Sequence, residues 1–331
     1  MGRSAGQYAI APHDPARDPA LVDLWTREAG LDPEEARERL VEVLLTATDG
    51  GGAIAGVASA YLARSEQLRM ELWHARIFVA RAHRRSDLAL RLALMARDGL
   101  RERFVRGHDR RSPGLVFEIE HPGLRERFTE ADWPRTGFTF VGENERGAHV
   151  RIHWFPGALV PGAASIAGLP EPADFTTETL RGRLDDRWAD RLLRFWAAHG
   201  ALGEEEGRQR LPDVVGVLLD GEGEVQGVSS VFAADVPLIG GRRFWVLRRF
   251  VVPAGRAAAD LLIAPTFAAL EGEFQPPAGG PIGLCVLLTP QEAVLRPEAE
   301  WRDPRLVYAG YLEDGRQVRI AYFAGASIAR G

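Results

Sequence analysis

Apolar and polar positions in this chain follow a helical period, then an alternating one, and the whole succession occurs twice. Leu21, Leu24 and Trp25 fall at the three- and four-residue spacing of a helix that buries one stripe. A short helix ending in Arg39-Leu40 comes next. Two strands then flank Asp49-Gly50-Gly51-Gly52, a hairpin signal. A longer strand ends in Ile77-Phe78-Val79, passes two arginines and a serine, and becomes a helix whose leucines recur at helical spacing to Leu100. A fifth strand, LVFEIE, enters a short helix opened by His121-Pro122, where proline suits the first turn. A closing hairpin turns at Glu145-Arg146-Gly147.

The second succession matches the first at recurring positions. At a constant offset of 168, Gly142 meets Gly310, Gly147 meets Gly315, Val150-Arg151-Ile152 meets Val318-Arg319-Ile320, and Trp133 meets Trp301. Earlier the offset is 171, pairing Trp25 with Trp196, Leu40 with Leu211 and Gly56 with Gly227. In the middle it is 172, pairing Trp73 with Trp245, Phe78-Val79 with Phe250-Val251 and Arg84 with Arg256. Offsets that drift so little predict a duplicated domain with small loop changes. The expected boundaries are 1–160 for the first domain, a Pro/Gly/Ala-rich linker at 161–174, and 175–331 for the second. The element order predicts an α/β (α+β layered) fold, each domain a mixed, mostly antiparallel sheet flanked by helices.

Composition narrows the class. Over 331 residues, 46% apolar and 26% charged content describe a globular chain large enough for two cores. A net charge of −5 gives no reason to expect nucleic acid or an acidic membrane as partner. All 41 basic residues are arginine, so a lysine Schiff base is excluded. The single cysteine, Cys285, lies in the apolar run IGLCVLL and reads as a buried structural thiol. The first residues contain no apolar run of signal-peptide length, and no window approaches eighteen uninterrupted apolar residues, so a cytoplasmic protein is expected. The eight histidines show no metal-ligand spacing, and neither a nucleophile elbow nor GxGxxG occurs.

Strand, arginine turn and helix recur as Val79-Ala80-Arg81-Ala82-His83-Arg84-Arg85-Ser86-Asp87-Leu88-Ala89 and as Val251-Val252-Pro253-Ala254-Gly255-Arg256-Ala257-Ala258-Ala259-Asp260-Leu261. Over nearly the whole chain this order resembles the tandem members of the GNAT superfamily of acyl-CoA-dependent N-acyltransferases. The resemblance implies that Phe78, Val79, Arg84, Arg85, Ser86 and Ala89 contact acetyl-CoA or another acyl-CoA, with Val251 and Arg256 at the matching places in the second copy. The family's motif alternates glycines, which let phosphates approach a helix start closely. Here Asp87 and the second copy's alanines stand in their place, while Arg84, Arg85 and Ser86 offer charge and a hydroxyl.

The resemblance further implies a glutamate base thirteen residues before the motif arginine, a place held by Glu71 in the first copy and Arg243 in the second. It puts Phe128 and Arg296 where many relatives have a tyrosine acid. Glu118 and Glu120 alternate on the fifth strand and share a sheet face. His74 reads as a core or partner-bonded histidine, and His83 lies in the turn. The expectation is acyl transfer to a small amine or amino-acid-like substrate, the first copy holding the cofactor, in a monomer with an internal pseudo-dimer or in a homodimer. The alternative is a tandem protein that does not acetylate, binds no acyl-CoA, and acts as a small-molecule binding protein or an enzyme of other chemistry.

Overall fold

The computed structural model describes residues 7–161, 174–276 and 279–329. Of the expected linker, 161–174, residues 162–173 lie outside the described residues. The chain divides into two compact units. The first holds residues 1–120, 134–138 and 144–158; the second holds 121–133, 139–143 and 159–331.

From the N-terminus the elements are β1 (Ala9–Pro12), α1 (Asp18–Ala29), α2 (Pro33–Glu38), β2 (Val43–Thr48), β3 (Ile54–Ser65), β4 (Met70–Val79), α3 (Leu88–Val105), β5 (Gly114–Ile119), α4 (Pro122–Arg127), β6 (Asp132–Trp133), β7 (Phe138–Glu143) and β8 (His149–Trp154). Within the first unit the sheet runs β1-β2-β3-β4-β5-β8, antiparallel except between β4 and β5. The β2–β3 turn is built as its sequence demands: Asp49 accepts from the amides of Gly51 and Ala53 at 2.9 and 3.0 Å. α1 stops at Gly30, whose φ of 70° suits glycine. α3 buries Leu88, Leu92, Ala96, Leu100 and Phe104, a four-residue stripe that the leucine spacing predicts. Its first half packs on Ala47, Ala55 and Ala58. At Gly56 an added Cβ would lie 3.0 Å from Leu92 and from the carbonyl of Phe78, so the glycine sets how close helix and strands come.

The second unit continues with β9 (Thr176–Thr179), α5 (Asp186–Ala198), α6 (Glu204–Arg210), β10 (Val214–Leu219), β11 (Val225–Val236), β12 (Arg242–Val251), α7 (Ile263–Glu273), β13 (Gly283–Leu288), α8 (Pro290–Leu295), β14 (Val307–Tyr311) and β15 (Gln317–Tyr322). Its sheet runs β14-β15-β13-β12-β11-β10-β9, with β12 and β13 parallel. Trp196 with Leu192 and Phe195, and Trp25 with Leu21 and Leu24, fill equivalent helix–sheet cores. The repeated arginines of the closing hairpins, Arg151 and Arg319, are both fully buried. Arg319 donates to the carbonyls of Arg296 and Glu298 and stacks 4.2 Å over Trp301. Burial pulls it down to about 9, still a cation at neutral pH.

Two details differ from expectation. β1 and β9 add strands that the apolar pattern does not announce. The segment after β12 is a ten-residue 3-10 helix, Pro253–Leu262, and the α-helix begins only at Ile263. Pro253 fits the first turn of either helix and alanine favours the wider one, but the segment buries Gly255, Ala258 and Leu262 against the sheet at three- and four-residue steps.

Candidate active site

Each unit opens its sheet at one place. β4 and β5 pair through Trp73↔Leu115, His74↔Val116 and Ala75↔Phe117, whereas Arg76–Val79 stay in register with β3. Past Ala75 the parallel strands part. The backbone edge of β4 there is turned toward the gap, where an extended ligand can take its hydrogen bonds.

Side chains alternate along a strand, so His74 and Arg76 share one face of β4 and Glu118 lies on the same face of β5 as Val116. Tyr61 is opposite His74 on β3. Its ring centroid is 5.3 Å from that of His74 and 3.9 Å from the Arg76 guanidinium. Arg76 also donates to Glu42 at 2.6 Å. His74 is buried, and Nδ1 stands 3.7 Å from Glu118 Oε1, beyond hydrogen-bond reach. Among the described residues neither ring nitrogen has a hydrogen-bond partner. Burial holds the imidazole below its ordinary 6.5; Glu118 opposes this, Arg76 adds to it and Glu71 opposes it. His74 is therefore neutral at neutral pH. Glu118 and Glu120 meet at one guanidinium: Arg146 donates to Glu118 at 3.1 Å and lies 3.0 Å from Glu120.

Glu71 is exposed at the outer end of β4, opposite Arg64. Val79 lies eight residues on, roughly 26 Å at the rise of a strand, with His74 between them. The gap thus gathers Glu118 and Glu120, not Glu71.

The turn that follows is held by its own polar groups. Arg84 Nε donates to the Val79 carbonyl at 3.2 Å. Ser86 donates to the carbonyl of His83 at 2.7 Å and accepts from the amide of Leu88 at 3.3 Å. Glu28 of α1 accepts from the amide of Arg81 at 2.6 Å. His83 Nδ1 lies 3.0 Å from Tyr8 Oη. Arg85 and Ala89 are exposed, and Asp87 stands at the N-cap of α3 without making a capping bond. Phe78 packs beside Leu21 and Leu24, and Val79 beside Leu88 and Leu92. The corner thus carries the guanidinium groups of Arg81, Arg84 and Arg85 beside the carboxylates of Asp87 and Glu28.

In the second unit β12 and β13 pair through Trp245↔Leu284, Val246↔Cys285 and Leu247↔Val286, then part in the same way. The registers make Phe232 the counterpart of Tyr61, Val246 of His74, Arg248 of Arg76 and Leu287 of Glu118. All four line a cavity of about 680 Å³, together with Val251, Arg256 and Ala259. Arg248 stacks on Phe232 at 3.7 Å, as Arg76 does on Tyr61. Burial and neighbouring Arg210 hold Arg248 below the usual arginine range, with Asp213 opposing. Asp260 accepts from Arg249 at 2.6 Å and from Arg296 at 2.7 Å, and Glu292 accepts from Arg249 at 3.1 Å. Arg296 is thus tied to a carboxylate, while Phe128 packs edge-on against Trp133 with centroids 5.5 Å apart. Neither supplies an acidic hydroxyl. Cys285 is fully buried and its thiol is pushed up to about 12.

No family model and no curated protein matches the sequence. Solved structures to which the chain is similar are acetyltransferases of the GNAT family. A GNAT family N-acetyltransferase (YhbS) from Escherichia coli in complex with CoA is 20% identical, covering 46% of this chain and 84% of that one, with a TM-score of 0.32. A GCN5-related N-acetyltransferase from Kribbella flavida is 17% identical over 46% of this chain and 100% of its own, TM-score 0.34. The ribosomal-protein-S5-alanine acetyltransferase from Vibrio fischeri is 12% identical over 46% and 96%, TM-score 0.32. The fold stands on the strand orders and registers given above, and the chemistry on the residues themselves. Among the described residues no helix is long and apolar enough to cross a membrane.

The pairing of His74 with Glu118 was not legible in the chain. It depends on the parallel register of β4 and β5, strands forty-odd residues apart. The signal that was present is the repeat: His74 and Glu118 are the two polar positions that the second copy replaces with Val246 and Leu287.

Proposed function

We propose that this protein is an acyl-CoA-dependent N-acyltransferase whose substrate is a small amine or amino-acid-like molecule, acting at the gap between β4 and β5. The observation that carries this reading is the collection of Tyr61, His74, Arg76, Glu118 and Glu120 at a parted pair of parallel strands, one turn from Arg84 and Arg85. When bound there, acyl-CoA would supply the activated thioester. The edge of Arg76–Val79 would hold the extended arm, Arg84 and Arg85 would face the diphosphate, and Ser86 and Ala89 would flank it. The carboxylates of Glu118 and Glu120 would draw a cationic amine to the face opposite.

A second reading has its own observation. The second unit's cavity places Arg256 beside Ala257 and Ala259, small residues that leave room for phosphates, with Val251 at the strand end. There the acyl-CoA would sit in the second unit, in a cavity lined by Arg248, Arg249 and Arg256 that has Leu287 in the place of Glu118.

Calorimetric titration with acetyl-CoA separates the two. Loss of affinity by tenfold or more in an Arg84→Ala, Arg85→Ala variant, with Arg256→Ala unaffected, is the expected result. The reverse pattern moves the cofactor to the second unit. No binding of acetyl-CoA or longer acyl-CoAs to the unaltered protein sinks both readings.

A further inference from the structure

Building on the acyltransferase reading of the first unit, we propose that His74, with Glu118 and the ring of Tyr61 beside it, is the proton acceptor of that site, and that the group it deprotonates is a primary ammonium. A buried imidazole with no partner among the described residues for either nitrogen loses its hydration without replacement. Packing does not demand the imidazole: the equivalent place in the second unit holds Val246 in the same strand register. The four counterparts Phe232, Val246, Arg248 and Leu287 all line one cavity of the second unit. Where the second unit has an apolar pair, Val246 and Leu287, the first has a base and a carboxylate 3.7 Å apart.

The charged groups around His74 set its state. Arg76 and Glu71 lie on its own strand, Tyr61 on β3, Glu118 on β5, Arg146 in the β7–β8 turn, and Glu42 behind Arg76. Burial keeps the ring neutral, as a proton acceptor must be, and Glu118 favours the imidazolium once formed. The step balances simply. The substrate ammonium gives one proton to the His74 ring, and its freed nitrogen bonds to the acyl carbon as the carbon–sulfur bond breaks. The thiolate takes the second amine proton, and the imidazolium returns its own to water. One ammonium and one thioester become one amide, one thiol and one proton.

The test uses the full chain and three readouts: acetyl-CoA affinity, turnover with a panel of primary amines, and NMR titration of the labelled histidines. His74→Gln is expected to lower kcat by roughly a hundredfold or more with acetyl-CoA Kd within about twofold. His74→Val, which copies the second unit, should fold at least as stably and be as inactive. Glu118→Gln should cost roughly tenfold in kcat and lower the His74 titration midpoint, because the Glu118 charge raises it. Turnover by His74→Gln or His74→Val within about threefold of the unaltered protein overturns the assignment. So does a His74 midpoint unmoved by Glu118→Gln, a result that needs no turnover at all. If the unaltered protein binds acetyl-CoA but acylates no amine, the acyltransferase reading falls and the catalytic role with it.

Discussion

The two gaps are built on one plan and hold opposite interiors. Each has an arginine stacked on an aromatic ring of the preceding strand, Arg76 on Tyr61 and Arg248 on Phe232. Each opens where three parallel pairs end. Yet the first is polar, with His74 and Glu118, and its turn is crossed by Arg84, Ser86 and Glu28. The second is apolar at Val246 and Leu287, and its turn is kept small by alanines and tied by Asp260 to Arg249 and Arg296. Backbone geometry, which packing of both faces demands, has been retained in both copies. Side chains that face the gap have diverged, because nothing in the core constrains them. One copy places an imidazole beside a carboxylate, and the other lines a cavity of about 680 Å³.

Equivalent positions give the sharpest way to break this comparison. Gly114 and Gly283 begin β5 and β13. A Cβ on Gly283 would run into the carbonyl oxygen of Ala321, whereas on Gly114 it would meet His153 O and Trp154 Cε3 at 3.0 Å. Gly283→Ala should therefore cost about 3 kcal/mol or more and Gly114→Ala about 1–2 kcal/mol, read from urea midpoints. Equal losses would show that the two strand edges are packed alike.

Next in size is the ionic tie of the second turn. Asp260→Ala leaves Arg249 with Glu292 alone and Arg296 without its carboxylate, at about 1–2 kcal/mol for a partly exposed network. Asp87→Ala, which removes a side chain that caps nothing, should stay within about 0.5 kcal/mol. A larger loss at Asp87 than at Asp260 would reverse the contrast between the turns.

Cys285 has Val116 as its first-unit counterpart, so Cys285→Val should cost under about 1 kcal/mol. The native thiol, raised to about 12 by burial, should resist a disulfide reagent at pH 8 until the chain is unfolded. Rapid labelling of the folded protein would contradict its burial.

The smallest effect is the pH dependence of the first unit. His74 titrates below 6.5 when folded, so the unfolded chain binds the proton first as pH falls. Stability from this group is complete above pH 6.5 and declines below it, with a slope of about one proton at most. His74→Val should remove that decline between pH 7 and 5, measured by thermal unfolding. An unchanged slope would mean other groups set it.

How much the sequence reveals depends on whether the signal is local. The Asp49 turn and the α3 stripe rest on residues within a turn or two of one another, and the spacing predicts both. Glu118 and Glu120 share a face because alternation is a property of a single strand. The 3-10 segment after β12 escapes such reasoning, since local alanine propensity favours the α-helix while Ala258 and Leu262 pack against Leu218 of a distant strand. Glu71 matches a family spacing, but spacing along a strand does not say which end faces the gap.

By itself the sequence determined the duplication, the α/β class of each half, the short-range turns and caps, and the place of each arginine turn. Those follow from periodicity and from residues close in the chain. Tertiary structure alone decided that His74 stands beside Glu118, that Val246 and Leu287 are their counterparts, and that Arg146 gathers both glutamates. These are pairings across strands and turns, and register between distant strands is set by how the whole sheet packs on its helices, which no single segment encodes.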